Sequence, residues 1–276
     1  MSSTGFGSGF TVLSYSLITI CILMTPLAEA APKAALWDFW RNQSASVQLP
    51  PDTGFAAFLA QYRDQNSEGV AVIDYAQVTP AAMRGLEDFV ASYIRIDPRG
   101  LTKSEQFVYW VNLYNAQIII QILEADIPAS IRDIRPGLAG LLAGGPWNKT
   151  QFKIAGQEVS FNDIEHRILR PLWRDARVHF VLNCASIGCP DIPAQPLVVA
   201  NLDRQLEQAA RTFINHSRAV SLTHDELTLS SLFDWFSSDF GENEAKLIAF
   251  INQYLKQPIA QYRSVNYAYD WSLNAP

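Results

Sequence analysis

The sequence predicts an α+β fold: a mostly helical single domain with a small antiparallel sheet built from hairpins. Three observations lead to this prediction. Apolar residues recur at helical spacing over several long stretches. Two short runs of strand-forming residues each flank a turn. Strands and helices do not alternate as they would in a wound parallel sheet. The 276-residue chain is 49% hydrophobic and 17% charged, which supplies enough apolar surface for a buried core.

The first half of the chain is predicted to be largely helical. Apolar spacing predicts helices over 55–62, 80–94 and 107–123. An extended run over 70–75 and a turn over 97–100 lie between them. The third helix should begin after a capping box, in which Thr102 and Glu105 satisfy each other's backbone N–H groups.

Polar side chains on the third helix are informative because the helix is apolar on nearly every face, which predicts burial all round. An unsatisfied buried amide costs about 1–3 kcal/mol, so each of these side chains needs a partner. One interpretation is that they bind neighbouring loop backbone and lock the fold. The other is that Asn115 points into a functional site. The amides are Asn112, Asn115, Gln117 and Gln121.

The second half begins with a predicted hairpin over 151–160. A helix should follow, with Ser160 or Asn162 as its cap, and end at Pro171. A strand over 177–183 is predicted to lead directly into Cys184.

The remaining elements are a helix, a hairpin, a short helix and a final helix. They are predicted over 202–214, over 220–229, after the cap residue Ser230 and over 242–255. The last residues, 267–274, are too aromatic for a free tail and should dock on the core.

The N-terminal residues predict export. An apolar run over 10–24 precedes an Ala-x-Ala pattern that ends at Ala30, so we expect residues 1–30 to be a signal peptide. No Lys or Arg precedes the run, and an uncleaved membrane anchor is the alternative. The mature protein is then periplasmic or secreted, with membrane contact only if the segment is kept. Residues 31–54 are predicted to be an irregular lead-in, and residues 55–274 the domain.

Composition argues against several classes of function. The net charge of −6 gives no basic footprint for nucleic acid. The Gly-rich stretch over 136–146, a predicted loop, lacks the Lys-Ser/Thr spacing of a phosphate-binding loop. We therefore predict no nucleic-acid partner and no cofactor. The expected partner is an unknown substrate or a component of the cell envelope.

Two cysteines lie outside the leader, Cys184 and Cys189, separated by four residues. In an oxidising compartment they could close a small disulfide loop, whereas in a reducing one either could be a free thiol. The sequence leaves both alternatives open.

Several stretches together resemble DUF547, a domain family of unknown function found in bacterial exported proteins and in some plant proteins. The resemblance spans roughly residues 55–274 and implies the fold without naming a reaction. Val181 and Ile187 depart from residues that are often Ala and Ser or Lys in the family. The matching pieces are Val72-Ile73-Asp74-Tyr75, Trp110 to Ala116, Asp163 to Arg170, His179 to Pro190, Leu229-Ser230 to Asp239-Phe240, and Tyr269 to Asn274.

The candidate nucleophile is Cys184, because the family pattern centres on the first cysteine. Backbone N–H groups beside it could lower its pKa or form an oxyanion hole. On an extended strand His179 would face away from Cys184, which favours His166 as the base. The supporting residue is Asn115, Glu165 or Asp270. A Cys, His and amide-or-acid arrangement is the logic of papain-like hydrolases and implies acyl transfer, or hydrolysis of an amide or thioester.

Three alternatives remain. The first is a disulfide-stapled binding domain without catalysis, with aromatic residues such as Trp147, Trp235 and Trp271 on its binding face. The second is a dithiol that exchanges with partners, although Cys-x4-Cys is not the Cys-x-x-Cys spacing of thioredoxin-like enzymes. The third is a metal site formed by both cysteines, His166 and His179. Their spacing matches no standard zinc site, so we predict no metal.

Overall fold

The computed structural model describes residues 32–134, 145–241 and 243–276. The predicted signal peptide lies outside the described residues, as does most of the predicted loop over 136–146 and the predicted first residue of the last helix, Glu242.

Three helices form the first half of the core. They are α1 (Thr53–Tyr62), α2 (Pro80–Ile94) and α3 (Lys103–Glu124). The capping box of Thr102 and Glu105 is present at the start of α3. Nearly all of α3 from Gln106 to Ile122 is buried, so the prediction of a central helix packed all round is confirmed. Two of the four amides on α3 bind loop backbone: Asn112 binds Leu197, and Asn115 binds Val181 and Asn183. Gln121 binds Glu124 on the same helix, and Gln117 is only partly buried.

The sheets are small and separate. The strands β1 (Arg63–Gln65) and β2 (Ala71–Ile73) pair antiparallel, and so do β3 (Thr150–Ile154) and β4 (Gln157–Ser160). Both predicted hairpins are present, the second one as β5 (Val220–Thr223) with β6 (Glu226–Ser230). One feature was not predicted: β7 (Ser264–Ala268) pairs with β6 in parallel.

The helix after β4 begins as predicted but continues further. Ser160 Oγ accepts the backbone N–H of Asp163, whose carboxylate accepts the N–H of Ser160. A π-helix (Asp163–Leu169) then passes directly into α4 (Arg170–Trp173). The predicted end at Pro171 was wrong: the helix continues to Trp173 and ends where Arg174 adopts the left-handed conformation, with φ of +52°.

The predicted strand over 177–183 was also wrong. Ala176–Phe180 forms a 3-10 helix, capped by the Asp175 carboxylate, which accepts the N–H of Arg177. The next polar backbone groups do not join a ladder, because Asn115 binds the Val181 carbonyl and the Asn183 N–H. The expectation that strand alternation separates His179 from Cys184 therefore has no basis.

The last helices are α5 (Leu202–Ile214), α6 (Ser231–Trp235), α7 (Ser237–Phe240) and α8 (Glu244–Asn252). They pack around a second apolar cluster that includes Phe180. Val178, Val181 and Leu182 belong instead to the first cluster, with α1, α2 and α3. The segment that leads to Cys184 thus runs between the two clusters, which fixes it from both sides.

Candidate functional site

The site is built on a tight loop that carries Cys184. Ala185, the next residue, has φ of +56°, in the left-handed region that a side chain disfavours. The Asn183 side chain accepts the Ala185 N–H at 2.9 Å, which holds this turn. A residue kept in a strained conformation beside a reactive group is typical of functional sites.

A chain of buried amides clamps the loop. Asn115 donates to the Val181 carbonyl at 2.8 Å and accepts the Asn183 N–H at 2.9 Å. Asn183 also donates to the Pro190 carbonyl at 2.8 Å and accepts from Asn274. The Asn115 amide is thus used in holding backbone, so the interpretation that it locks the fold is the one the contacts support.

The C-terminal segment forms the other wall of the loop, as the prediction that it docks on the core required. The N–H groups of Ile187 and Gly188 donate to the carbonyls of Ser272 and Asp270, both at 2.8 Å. A Cβ on Gly188 would lie 2.7 Å from the Asp270 backbone nitrogen, so only glycine permits this approach. Tyr75, at the end of the β2 region, donates to the Asn274 side chain at 2.9 Å and fixes the far end of the segment.

Docking of this segment places the hydroxyl of Tyr269 in contact with the thiol of Cys184. Tyr269 Oη lies 3.0 Å from Cys184 Sγ, and Ser186 Oγ lies 3.1 Å from the same sulfur. The two hydroxyls are themselves 2.9 Å apart. Cys184 is partly exposed, whereas Cys189 is buried, and both are free thiols. The sulfur of Cys184 therefore has two potential O–H donors, on a residue that is partly exposed.

These contacts decide the ionisation of the two thiols. Burial raises the pKa of Cys184, but hydrogen bonds from Cys189, Ser186 and Tyr269 outweigh it, so the pKa lies below its ordinary value. Burial raises the pKa of Cys189 well above its ordinary value, and its contact with Cys184 raises it further. Of the two thiols, Cys184 is therefore the one that ionises more readily. Burial and the neighbouring Cys184 raise the pKa of Tyr269, which keeps its phenol protonated as a donor.

Five backbone N–H groups around the thiol already have acceptors. The N–H of Cys184 donates to Cys189 Sγ at 2.9 Å, and that of Ala185 donates to Asn183. The N–H groups of residues 187, 188 and 189 donate to backbone carbonyls. The expected oxyanion hole of nearby backbone N–H groups is not available from these five positions. The two hydroxyl groups are the donors that face the sulfur.

His166 does not contact Cys184 in any described hydrogen bond. Its side chain is buried, and Arg170 Nη1 lies 3.1 Å from its Nδ1. Because a guanidinium can only donate, Nδ1 is the acceptor and the ring proton sits on Nε2. Burial and the Arg170 charge lower the pKa of His166, although Glu165 opposes them. The basic lone pair of this histidine is thus held by Arg170, and the contacts give no support to His166 as the base for Cys184.

Glu165 and His179 belong to the same ion network as His166. The carboxylate of Glu165 lies 3.5 Å from Nδ1 of His179, whose Nε2 lies 2.8 Å from Asp239. Arg170 also binds Asp239. Burial raises the pKa of Glu165, but the charges of His166, His179 and Arg170 lower it below its ordinary value. Each ring nitrogen of His179 faces a carboxylate, so this imidazole is not directed at the thiol.

Of the predicted site residues, the structure places Cys184 and Asn115 in one loop system and His166 with Glu165 in a separate ion network. Glu165 alone acts on both, because its charge raises the pKa of Cys184. Asp270 is exposed, and its carboxylate accepts the N–H of Ser272 at 2.8 Å, which makes it a turn residue.

Sequence reasoning missed the residues that contact the sulfur and those that complete the clamp. They are Ser186, Tyr269, Asn183 and Asn274. All of them lie within the stretches that carry the resemblance, which was the available signal.

An aromatic cluster lies beside the thiol. It consists of Trp235, Tyr269 and Trp271, with ring centroids 4.6 to 5.5 Å apart. All three side chains are partly exposed. Trp147, the third tryptophan of the predicted binding face, packs instead against Phe161 in the core. Trp235 and Trp271 therefore lie next to the thiol site, because both pack against Tyr269.

The arrangement of the described residues bears on two further properties, metal binding and membrane spanning. Among the described residues, no three His, Cys, Asp or Glu side chains are arranged to hold a metal ion. No helix within the described ranges is long and apolar enough to span a bilayer.

Comparison with known proteins gives a match to a family model. No curated protein and no solved structure matches the chain. A family model described as "Protein of unknown function, DUF547" matches residues 98–214. The matched stretch includes α3 with Asn115, the His166 helix and the whole Cys184 loop, while Tyr269 lies beyond it. Residues 98–214 are therefore similar to the DUF547 family, in agreement with the resemblance that the sequence motifs indicated.

Proposed function

We propose that this protein is a thiol-dependent enzyme in which Cys184 is the nucleophile of an acyl transfer, or of the hydrolysis of an amide or thioester. The observation that carries the proposal is the placement of the sulfur. Cys184 is a partly exposed residue, its sulfur contacts the hydroxyls of Ser186 and Tyr269, and its loop is clamped by amides from two directions.

The hydroxyl groups replace the histidine of a papain-like arrangement. The reactive form of a cysteine is the thiolate, and its hydrogen bonds favour that form without a separate base. When the sulfur attacks a carbonyl carbon, the negative charge moves from sulfur to the carbonyl oxygen. The hydroxyls of Ser186 and Tyr269 are then the donors at hand for that oxyanion.

The leaving group departs when the carbon–nitrogen or carbon–sulfur bond breaks. A departing amine needs a proton, and the protonated phenol of Tyr269 is the donor nearest the sulfur. Water or an acceptor nucleophile then attacks the acyl carbon, and the carbon–sulfur bond breaks, which releases the acyl group and regenerates the thiolate. The proton of that nucleophile restores the Tyr269 phenol after an amide substrate, or goes to the departed thiolate after a thioester. In this proposal Asn115 is a positioning residue, which acts on the loop rather than on substrate.

Mass spectrometry of the intact protein tests this function. The protein is incubated with a short-chain thioester and an activated ester, and the acylated peptide is mapped. We expect one acyl group on Cys184, slow release, and no acylation of the Cys184→Ala variant. The variant Ser217→Ala is the matched control, since its serine lies in a turn outside the site. No acyl group on native Cys184 with either reagent would contradict the proposal.

The second candidate function is a disulfide-stapled binding domain of the cell envelope. The contact between Cys189 Sγ and the N–H of Cys184 favours it, because the two residues are already adjacent. A count of free thiols on protein purified without reductant separates the two candidates. The staple predicts a Cys184–Cys189 disulfide that resists reductant under native conditions. If the protein is instead a thiol-dependent enzyme, Cys184 should be present as a free thiol or as a disulfide that is readily reduced.

Export is part of the proposal. The apolar run and the Ala-x-Ala pattern support cleavage after Ala30 and a periplasmic or secreted mature protein. N-terminal sequencing of the expressed protein and cell fractionation test it. An intact residue 1 in the soluble fraction of the cytoplasm would contradict it.

A further inference from the structure

The proposed function assigns Cys189 no step in the reaction, only a hydrogen bond that lowers the pKa of Cys184. The Cys189 side chain is buried, yet its sulfur accepts the N–H of Cys184 at 2.9 Å. It also lies 3.6 Å from the Leu182 carbonyl. Cys189 is therefore more than an apolar packing residue, because its sulfur contacts the backbone of Cys184 directly.

The two thiols differ in the way that a dithiol exchange centre requires. Cys184 is the exposed member and Cys189 the buried one. Hydrogen bonds place the negative charge on Cys184, and burial keeps Cys189 protonated. In such a pair the exposed thiolate attacks first, and the buried thiol acts only after a bond to the first sulfur has formed.

The loop between them is shaped to bring the sulfurs together. The Cys189 N–H donates to the Ser186 carbonyl at 3.1 Å, which closes a turn over four residues. The left-handed Ala185 reverses the chain after Cys184. Gly188 is pressed against the Asp270 backbone, so the C-terminal segment supports the outside of the turn.

We propose that Cys184 and Cys189 form a thiol–disulfide exchange centre for small-molecule disulfides, with Cys189 as the resolving thiol. The inference rests on Cys184 as the nucleophile of the proposed function. In the first step the Cys184 thiolate attacks a disulfide R–S–S–R, a mixed Cys184–S–S–R bond forms, and one RS⁻ leaves.

In the second step Cys189 loses its proton and attacks Cys184 Sγ. The Cys184–Cys189 disulfide forms, and the second RS⁻ leaves. The protein's two thiols are oxidised by two electrons, and the two RS⁻ groups take up the two protons that the cysteines gave up, so the substrate disulfide is reduced to two thiols. The restriction to small molecules follows from Cys184 being only partly exposed, beside Tyr269 and the two tryptophans.

Oxidised glutathione is a suitable probe for the reduced full-length protein. We expect the wild type to release two glutathione thiols per molecule and to end with a Cys184–Cys189 disulfide and no adduct. The Cys189→Ser variant should stop at one glutathione bound to Cys184. The Cys184→Ser variant should form neither product. Peptide mapping assigns every sulfur, including that of Cys21.

Two results separate the failure of this inference from the failure of the proposed function. A wild type that keeps its glutathione as stably as Cys189→Ser overturns the resolving role and leaves Cys184 as a nucleophile. If neither protein reacts, both proposals fail. Should Cys189→Ser not fold, a quenched time course on the wild type decides: a transient adduct that decays into the internal disulfide supports the inference, and a persistent adduct overturns it.

Discussion

The phenolic oxygen of Tyr269 lies 3.0 Å from the sulfur of Cys184, although the two residues are 85 positions apart. The contact exists because Gly188 lets the C-terminal segment approach the cysteine loop and because Asn274 ties that segment to Asn183. The thiol site is therefore made by two parts of the chain, of which only the first lies within the matched family region.

Replacing Tyr269 by phenylalanine should raise the pKa of Cys184. The variant loses a hydrogen bond to the thiolate, and such bonds to charged groups are worth about 1.5 kcal/mol or more, or about one pH unit. The pH at which alkylation of Cys184 is half-maximal should move upward accordingly. Tyr267→Phe, an exposed tyrosine two residues earlier, should leave it unchanged. An equal shift in both variants, or no shift in Tyr269→Phe, would show that the Tyr269 hydroxyl does not lower the pKa of Cys184.

Replacing Gly188 by alanine should push the C-terminal segment away from the loop. The new Cβ would lie 2.7 and 2.8 Å from the Asp270 backbone nitrogen and oxygen, and backbone cannot move aside as a flexible side chain can. We expect a lower free energy of unfolding and the same upward shift in the pKa of Cys184 as in Tyr269→Phe.

Gly85→Ala is the control for this substitution. A Cβ there meets nothing within 4 Å. Because it replaces a helix-interior glycine, it should be neutral or stabilising by roughly 0.5–1 kcal/mol. Chemical denaturation and alkylation kinetics check both variants. A Gly188→Ala protein as stable and reactive as the wild type would show that the close approach is not needed.

Replacing Asn115 by alanine should destabilise the protein strongly. It leaves the Val181 carbonyl and the Asn183 N–H unsatisfied, and two such buried groups together cost about 2 to 4 kcal/mol. Gln117→Ala lies on the same helix at a partly exposed position and should cost about 0.5 kcal/mol or less. Urea unfolding of the two variants provides the comparison. Equal stability of the pair would mean that the amide clamp does not hold the loop.

Replacing Asp239 by asparagine should reduce stability at neutral pH more than at acid pH. Burial raises the pKa of Asp239, but hydrogen bonds from His179 and Arg170 outweigh it and hold the pKa well below its ordinary value. A depressed carboxyl pKa stabilises the folded state above the unfolded value, near 4, and this contribution is lost as the pH falls. Removing one partner of the buried Arg170 should cost about 3 kcal/mol at pH 7.

Unfolding in urea at pH 7, 5 and 3 tests this dependence. The difference between wild type and Asp239→Asn should shrink as the pH falls below about 4, where the carboxyl of the unfolded chain takes up a proton while that of the folded wild type still keeps its charge. Asp234→Asn, an exposed position on α6, should change little at any of these pH values. A difference that is constant with pH would mean that the carboxylate charge is not what stabilises the network.

Local signals predicted the helices and hairpins well. The capping box at Thr102, the all-round apolar character of α3 and the paired runs of strand residues depend on neighbours in sequence, and the structure confirms each one. The parallel pairing of β7 with β6 depends on where the chain returns after α8, which no local pattern records.

The site was harder to predict because its bonds are made by tertiary contacts. A run of apolar residues over 177–183 is typical of a strand, but an aspartate cap and the Asn115 amide take its backbone groups. His166 matched a motif, yet an arginine one turn later in the same helix binds its ring nitrogen. The sequence predicted Cys184 itself. The contacts of its sulfur with Ser186 and Tyr269 depend on the tertiary structure, which brings the C-terminal segment to the loop.

The pH dependence of Cys184 alkylation in the native wild-type protein tests the central claim most directly. Site-resolved mass spectrometry after brief exposure to iodoacetamide reports the rate at each cysteine. The account predicts that Cys184 reacts with a midpoint below that of an ordinary thiol, near pH 8.5, while buried Cys189 stays unmodified. A midpoint at or above that value, or no reaction at Cys184 in the folded protein, would contradict it.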